Sequence, residues 1–312
     1  MSRLPLGQEL LLALIALAGW VLLPQDLGFV AQMIATMIFV LSLDLVIGFA
    51  GIPSLGHAAM FGSGAYAAGL TALHLTGEPL TGLLLGGLAG LLVALSSGAL
   101  ILRTHGLTFL MLTIAVAQLL YEVASKARAV TGGDDGFPSF ELRPLLGAFA
   151  FDFAGRTAYL YAAAVLVVCF ALMRRLVASP FGLACLGIKS DAARMAALGC
   201  DVPHHLSILY AIAGFFAGVA GALATQAAQA ASLSVLDFQV SADALIMLVL
   251  GGAGRLWGAV LGTMLFMGVH HVASSANPYH WMFVIGALLI VVVLALPRGL
   301  IDGFDQLLRW RR

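Results

Sequence analysis

Few residues in this 312-residue chain have the type and spacing that does chemistry. The cysteines Cys169, Cys185 and Cys200 show no C-x-x-C spacing and no even-numbered framework, so they imply neither a disulfide scaffold nor a zinc site. His204–His205 and His270–His271 are adjacent pairs, and neighbours on a helix point to different faces, which argues against a shared metal. The two lysines, Lys126 and Lys189, stand outside any G-x-x-x-x-G-K-[ST] loop. The H-E-x-x-H and G-x-S-x-G motifs are absent. Thr131–Phe137 is acidic and glycine-rich, but it lacks both the D-x-[DN]-x-[DN]-G ladder and the later glutamate of a calcium loop. The chain is expected to need no cofactor and no metal. If it moves anything uphill, the energy comes from another chain or an ion gradient.

One carboxylate is out of place. Asp44 stands in the apolar run Leu41-Ser42-Leu43-Asp44-Leu45. A charge at a membrane helix centre costs about 2.5–3.5 kcal/mol on insertion scales. Such residues face the bundle interior. Three roles are open to it: an interior helix–helix hydrogen bond, a polar group on a translocation route, or an interfacial acid at the cytoplasmic end of its span. Glu122 and Asp243 read as interfacial.

The elements that position these groups follow from composition. Hydrophobic residues make up 62% of the chain and charged ones 10%, against about 25% charged in an ordinary soluble domain. So few charges cannot clothe a soluble surface, and so many apolar residues exclude disorder. The solvent is lipid. Lys plus Arg and Asp plus Glu both number 15, which gives no sign of a nucleic-acid partner. A bilayer core needs about 20 apolar residues as helix. The chain offers ten candidate spans, at about 8–23, 27–49, 57–75, 80–101, 106–124, 157–177, 207–229, 239–254, 256–274 and 281–297. The first has no small-x-small cleavage site near Trp20–Gln25 and reads as a retained span rather than a signal peptide. The expected fold is an all-α polytopic bundle of about ten transmembrane helices in a single domain, 1–312, interrupted near 51–57 and 251–258.

Charge placement orients the bundle. Arg174, Arg175, Lys189 and Arg194 mark a loop of about 178–205 as cytoplasmic, and Arg298, Arg309, Arg311 and Arg312 do the same for the C-terminus. An even number of crossings must separate them, so 239–274 counts as two spans rather than one kinked helix. Both termini are then cytoplasmic, and a loop of about 125–156 lies outside. That loop carries Lys126, Arg128, Arg143 and Arg156 against four acidic residues, a mild exception to the positive-inside bias.

Gly51-Ile52-Pro53-Ser54-Leu55-Gly56-His57 separates two apolar runs. It fits a broken helix beside a pathway, or a surface turn with Ser54 capping the next helix. His57 there fits a capping or interior hydrogen bond. A second interruption, Gly251 to Gly258, occupies the other half of the chain, and paired interruptions point to a transporter's binding region. Asp44, Ser54, Gly56, His57, Gly251, Gly252 and Gly254 are the candidate pathway residues. Small residues recur at helical spacing (Gly62, Gly64, Ala68 and Gly69; Gly214, Gly218, Gly221 and Ala222; Gly254, Gly258 and Gly262), which implies close helix packing with little room for a wide pore. On the cytoplasmic side, Pro180 fits the first turn of a short helix and Gly199 the end of a second. This Ala-rich pair fits either a connector or a docking helix.

Four stretches carry a family resemblance. They are Gly48-Phe49-Ala50-Gly51 with Ser54–Gly62 and Gly64-Ala65-Tyr66; Thr131-Gly132-Gly133 with Asp135-Gly136; Ser179-Pro180-Phe181-Gly182 with Ala196-Ala197-Leu198-Gly199; and Gly251–Gly254 with Leu256-Trp257-Gly258 and Gly262. In this order, over about 40–297, the chain resembles branched-chain amino-acid ABC importer permeases of the LivM type. The departures are Asp44, where Asn is usual, with Lys189, Ser190, Arg255 and Ala259. The resemblance implies a bacterial inner-membrane subunit that does no chemistry itself. It implies a second permease subunit of the LivH type, two cytoplasmic ATPases and a periplasmic substrate-binding protein as partners. It also implies an ATPase-coupling loop at Ser179, Pro180, Phe181, Gly182, Asp191, Ala192, Ala193, Ala196, Ala197, Leu198 and Gly199. Urea or short-amide permeases share these motifs. A gradient-driven secondary transporter, from another class, would use Asp44 as its coupling acid.

Overall fold

The computed structural model describes residues 26–75, 77–102, 104, 106–137, 140, 142–144, 149, 155–276, 281–295 and 299–300. The expected span at 8–23 and the basic residues of both termini lie outside the described residues. Within them the chain is almost wholly helical, with an isolated Phe137–Ala231 bridge. The helices are α1 (Leu27–Asp44), α2 (Ala58–His74), α3 (Pro79–Ile101), α4 (Leu107–Lys126), α5 (Arg156–Val177), α6 (Pro180–Ser190), α7 (Ala192–Ala197), α8 (Val202–Ala228), α9 (Phe238–Gly251), α10 (Leu256–Ala276) and α11 (Trp281–Ala295).

Among the described residues, six helices are long and apolar enough to cross a membrane: α1 with its continuation to Phe49, α3, α4, α5, α8 and α10. The sequence predicts about ten. The difference is partly physical. α2 has 17 residues, α9 has 14 and α11 has 15. At about 1.5 Å per residue, a helix of α9's length falls short of a hydrocarbon core of about 30 Å. α2 follows the first interruption and α9 precedes the second.

α8 is the hub, packed on α1, α2 and α3, while α1 also meets α5, α9 and α10. The α2–α3–α8 contact is made by backbone. A Cβ at Gly64 or Gly90 would enter the α8 backbone at Gly218 or Gly214, and one at Gly218 would enter α3 at Gly86. The facing pairs Gly82/Gln226, Gly86/Ala222 and Gly98/Tyr210 run antiparallel, whereas Met60/Gly214 and Gly64/Gly218 run parallel. α2 and α8 therefore start from the same end of the bundle. α3 sorts its faces by size, not polarity. Gly82, Gly86 and Gly90 are buried, while Leu84, Leu88, Leu92 and Leu95 are exposed. Lipid tails are as apolar as leucine, so an outward leucine costs nothing there and an inward glycine gains close approach.

α9 and α10 form an antiparallel hairpin, because Gly251 faces Gly258 and Met247 faces Gly262. The 239–274 region is two helices and not one kinked helix. Its break is shorter than the sequence suggests, since Gly251 and Leu256–Gly258 remain helical. At the end of the bundle opposite the α2 and α8 starts, the connecting segments are stitched together: Phe137 N–H donates to Ala231 O (2.8 Å), Phe140 N–H to Gln229 O (3.2 Å) and Arg143 N–H to Gly77 O (3.0 Å).

Candidate functional site

The first interruption begins inside α1. After Asp44 the helix loosens into a π-turn over Leu45–Phe49 and then leaves helical geometry altogether. π-turns of this kind are frequent at functional sites. The freed backbone finds partners on other helices. Leu55 N–H donates to Thr113 Oγ1 of α4 (3.3 Å), and Ala58 N–H donates to Ser241 Oγ of α9 (2.8 Å). Gly56 lies against the Thr113 carbonyl with no room for a Cβ. These contacts hold Ser54, Gly56 and His57 inside the protein, while Gly51 and Pro53 stay exposed.

Ser54 is not the cap of α2. His57 occupies the N-cap position without a side-chain cap bond, and Ser241 supplies the acceptor instead. Ser54 is buried. His57 is fully buried, stacked on Phe39 and 3.0 Å from Ser42 Oγ through Nε2. The Ser42 hydrogen goes to Phe39 O (2.7 Å), so Nε2 carries the hydrogen of the His57 contact. His57 thus makes the interior hydrogen bond that its position suggests. Replacing Ser241 with Ala strands the buried Ala58 N–H, and an unpaired buried donor costs about 1–3 kcal/mol. Thermal unfolding of the purified chain in nanodiscs is expected to show that loss, with exposed Ser275→Ala as the unaffected control.

Asp44 joins the two interruptions. It is fully buried, and its Oδ1 accepts from Gly254 N–H at 2.7 Å. Gly48, one turn on, has no room for a Cβ because Asp44 Oδ1 and the Gly254 backbone occupy that volume. Gly252 and Gly254 take positive φ (102° and 85°), which lets the chain reverse between α9 and α10 and present that N–H. Arg255 stands beside this contact on a cleft of about 350 Å³ that Phe49, Phe170, Arg174, Val177 and Trp257 also line.

The α6–α7 segment lies at the same end of the bundle. Ser179 caps α6 through Gly182 N–H (3.3 Å), Pro180 fills its first turn, and Phe181 stacks on His205. Gly182 sits against the Val177 carbonyl. Asp191 caps α7 by accepting from Arg194 N–H at 2.9 Å. Ala192, Ala193, Ala196 and Ala197 lie on a helix with no buried residue, Leu198 is 76% exposed, and Gly199 closes the helix at φ 87°. Cys185 is the opposite case. Burial, with Cys200 nearby, pushes its thiol up to about 11, so it stays protonated and inert.

The structure brings Asp44, Gly254 and the α6–α7 segment to one end of the bundle, with Ser54, Gly56 and His57 at the adjoining start of α2. Sequence reasoning missed Ser42, Thr113 and Ser241 as partners, and Lys189 as a contact of Gly48. A lone hydroxyl in an apolar run looks the same whether it bonds its own helix or a neighbour's backbone.

Comparison with known proteins identifies the family. The chain is 25% identical over 290 residues to the high-affinity branched-chain amino acid transport system permease protein LivM of Salmonella typhimurium strain LT2, covering 85% of this chain and 68% of the relative. It shows the same identity and coverage with the LivM protein of Escherichia coli strain K12. No solved structure matches. The family model described as branched-chain amino acid transport system / permease component matches residues 27–293, which takes in both interruptions and the α6–α7 segment, and the chain belongs to that family.

Proposed function

We propose that this chain is the transmembrane permease subunit of an ATP-binding-cassette importer that carries branched-chain or related hydrophobic amino acids into the cytoplasm. The observation that carries this reading is the α6–α7 pair. Within the family match, it is a capped helical hairpin with one helix that has no fully buried residue, set beside the point where the interrupted segments meet. A helix that covers only Met195 in part and leaves its other residues exposed suits a partner's groove.

In this reading the chain sits in a bacterial inner membrane with α6–α7 and both termini in the cytoplasm, making ten passes. Two ATPase chains grip α6–α7, a second permease subunit of the LivH type completes the pathway, and a periplasmic binding protein delivers substrate to the face stitched by Phe137 and Ala231. Asp44, Ser54, Gly56, His57, Gly251, Gly252 and Gly254 border or shape the route. The engagement of Asp44 Oδ1 by Gly254 favours a structural duty over proton coupling. The same scaffold suits urea or short amides, and selection among these rests with the binding protein.

Reconstitution tests it. Proteoliposomes holding the two permeases and ATPases, supplied with binding protein and labelled leucine, are expected to accumulate label only with ATP. Accumulation by this chain alone under a proton gradient would overturn the importer reading.

A further inference from the structure

Lys189, near the end of α6, reaches out of its own segment. Its side chain crosses the face of Gly51, where an added Cβ would lie 2.8 Å from Lys189 Cγ, and its Nζ donates to Gly48 O at 2.6 Å. That carbonyl belongs to the π-turn at the end of α1, where backbone acceptors lose their helical partners. On its other side, Gly48 abuts Asp44 Oδ1 and the Gly254 backbone. Asp44 keeps its second oxygen, Oδ2, buried and without a hydrogen bond. A buried carboxylate needs a compensating charge. Lys189 Nζ and Asp44 Oδ1 lie against the same residue, Gly48.

The geometry points to Lys189 as a strut: a positioning residue that ties the α6–α7 hairpin to the junction of the two interrupted segments, and whose charge is matched to Asp44. The tie is continuous. α7 packs on α6 through Met195 and Gly187, α6 holds Gly48 through Lys189, and Gly48 lies against the Asp44–Gly254 bond. A displacement of α7 moves Lys189, and with it the carbonyl next to the junction. This rests on the proposed role of α6–α7 as the motor contact.

The test uses Lys189→Met, Lys189→Arg, Asp44→Asn and the double variant Asp44→Asn/Lys189→Met, with two readouts. The first is thermal unfolding of the purified chain in nanodiscs, without partners. The second is leucine uptake and ATP consumed per leucine in the reconstituted complex. Lys189→Met is expected to lower the melting temperature, and the double variant to restore it, because a neutral amide still accepts from Gly254 and needs no counter-charge. Uptake by the double variant is expected to stay about tenfold down with ATP hydrolysis continuing, in line with coupling losses along packed networks. Lys189→Arg is expected to retain most of both. A double variant no more stable than Lys189→Met would overturn the charge match. A normal ATP-to-leucine ratio in Lys189→Met would overturn the strut. If the wild-type complex shows no ATP-driven uptake, the importer reading fails instead, and the melting series still decides the charge match.

Discussion

Gly218→Val is expected to abolish accumulation of folded protein in the membrane. A Cβ at this position meets the Gly86 carbonyl and the Gly90 Cα of α3, both backbone, and backbone cannot rotate away as a side chain can. Overpacking a tight core costs about 1–3 kcal/mol where side chains can adjust, and more where they cannot. The opposing face of the same contact gives the same expectation for Gly64→Val, whose Cβ enters the Gly218 backbone. Gly268→Ala on α10 is the control, because nothing lies within 4 Å of its missing Cβ. Membrane levels and thermal unfolding in detergent decide the matter. If Gly218→Val melts together with Gly268→Ala, backbone contact is not what holds α2, α3 and α8.

The second large effect is on transport and leaves the fold intact. Leu198→Glu is expected to cut nucleotide-driven uptake at least about tenfold, the loss of one anchoring side chain at an interface. Leu198 is 76% exposed and α7 buries no residue, so the purified chain should unfold within about 0.5 kcal/mol of wild type. Gly199→Val acts by another route. At φ 87° only glycine is unstrained, so a β-branched residue there redirects the end of α7 and misaligns the same face. Normal uptake by Leu198→Glu in a complex with normal subunit content would remove α7 from the coupling role.

The sequence alone is enough to place this chain in lipid, to list its apolar runs and to mark both interruptions, because 62% apolar composition and Gly/Pro breaks are local properties. Short range also explains why the ends of α6 and α7 are legible: Ser179, Pro180, Asp191 and Gly199 act on backbone groups within a few residues of themselves. Partnership is a different kind of information. Gly218 is one small residue in an apolar stripe until α3 is laid antiparallel across it, and Ser241 is one hydroxyl until Ala58, 183 residues away in sequence, needs an acceptor. Asp44 shows the division most sharply. Its type and surroundings leave an interior bond, a pathway group and an interfacial acid open, while the bond it makes rests on the register of the α9–α10 hairpin, which places the N–H of Gly254 at 2.7 Å. In lipid every apolar face satisfies the solvent equally, so hydrophobicity puts segments in the membrane but does not choose neighbours; close backbone approach and buried hydrogen bonds choose them, and these exist only once the helices have met.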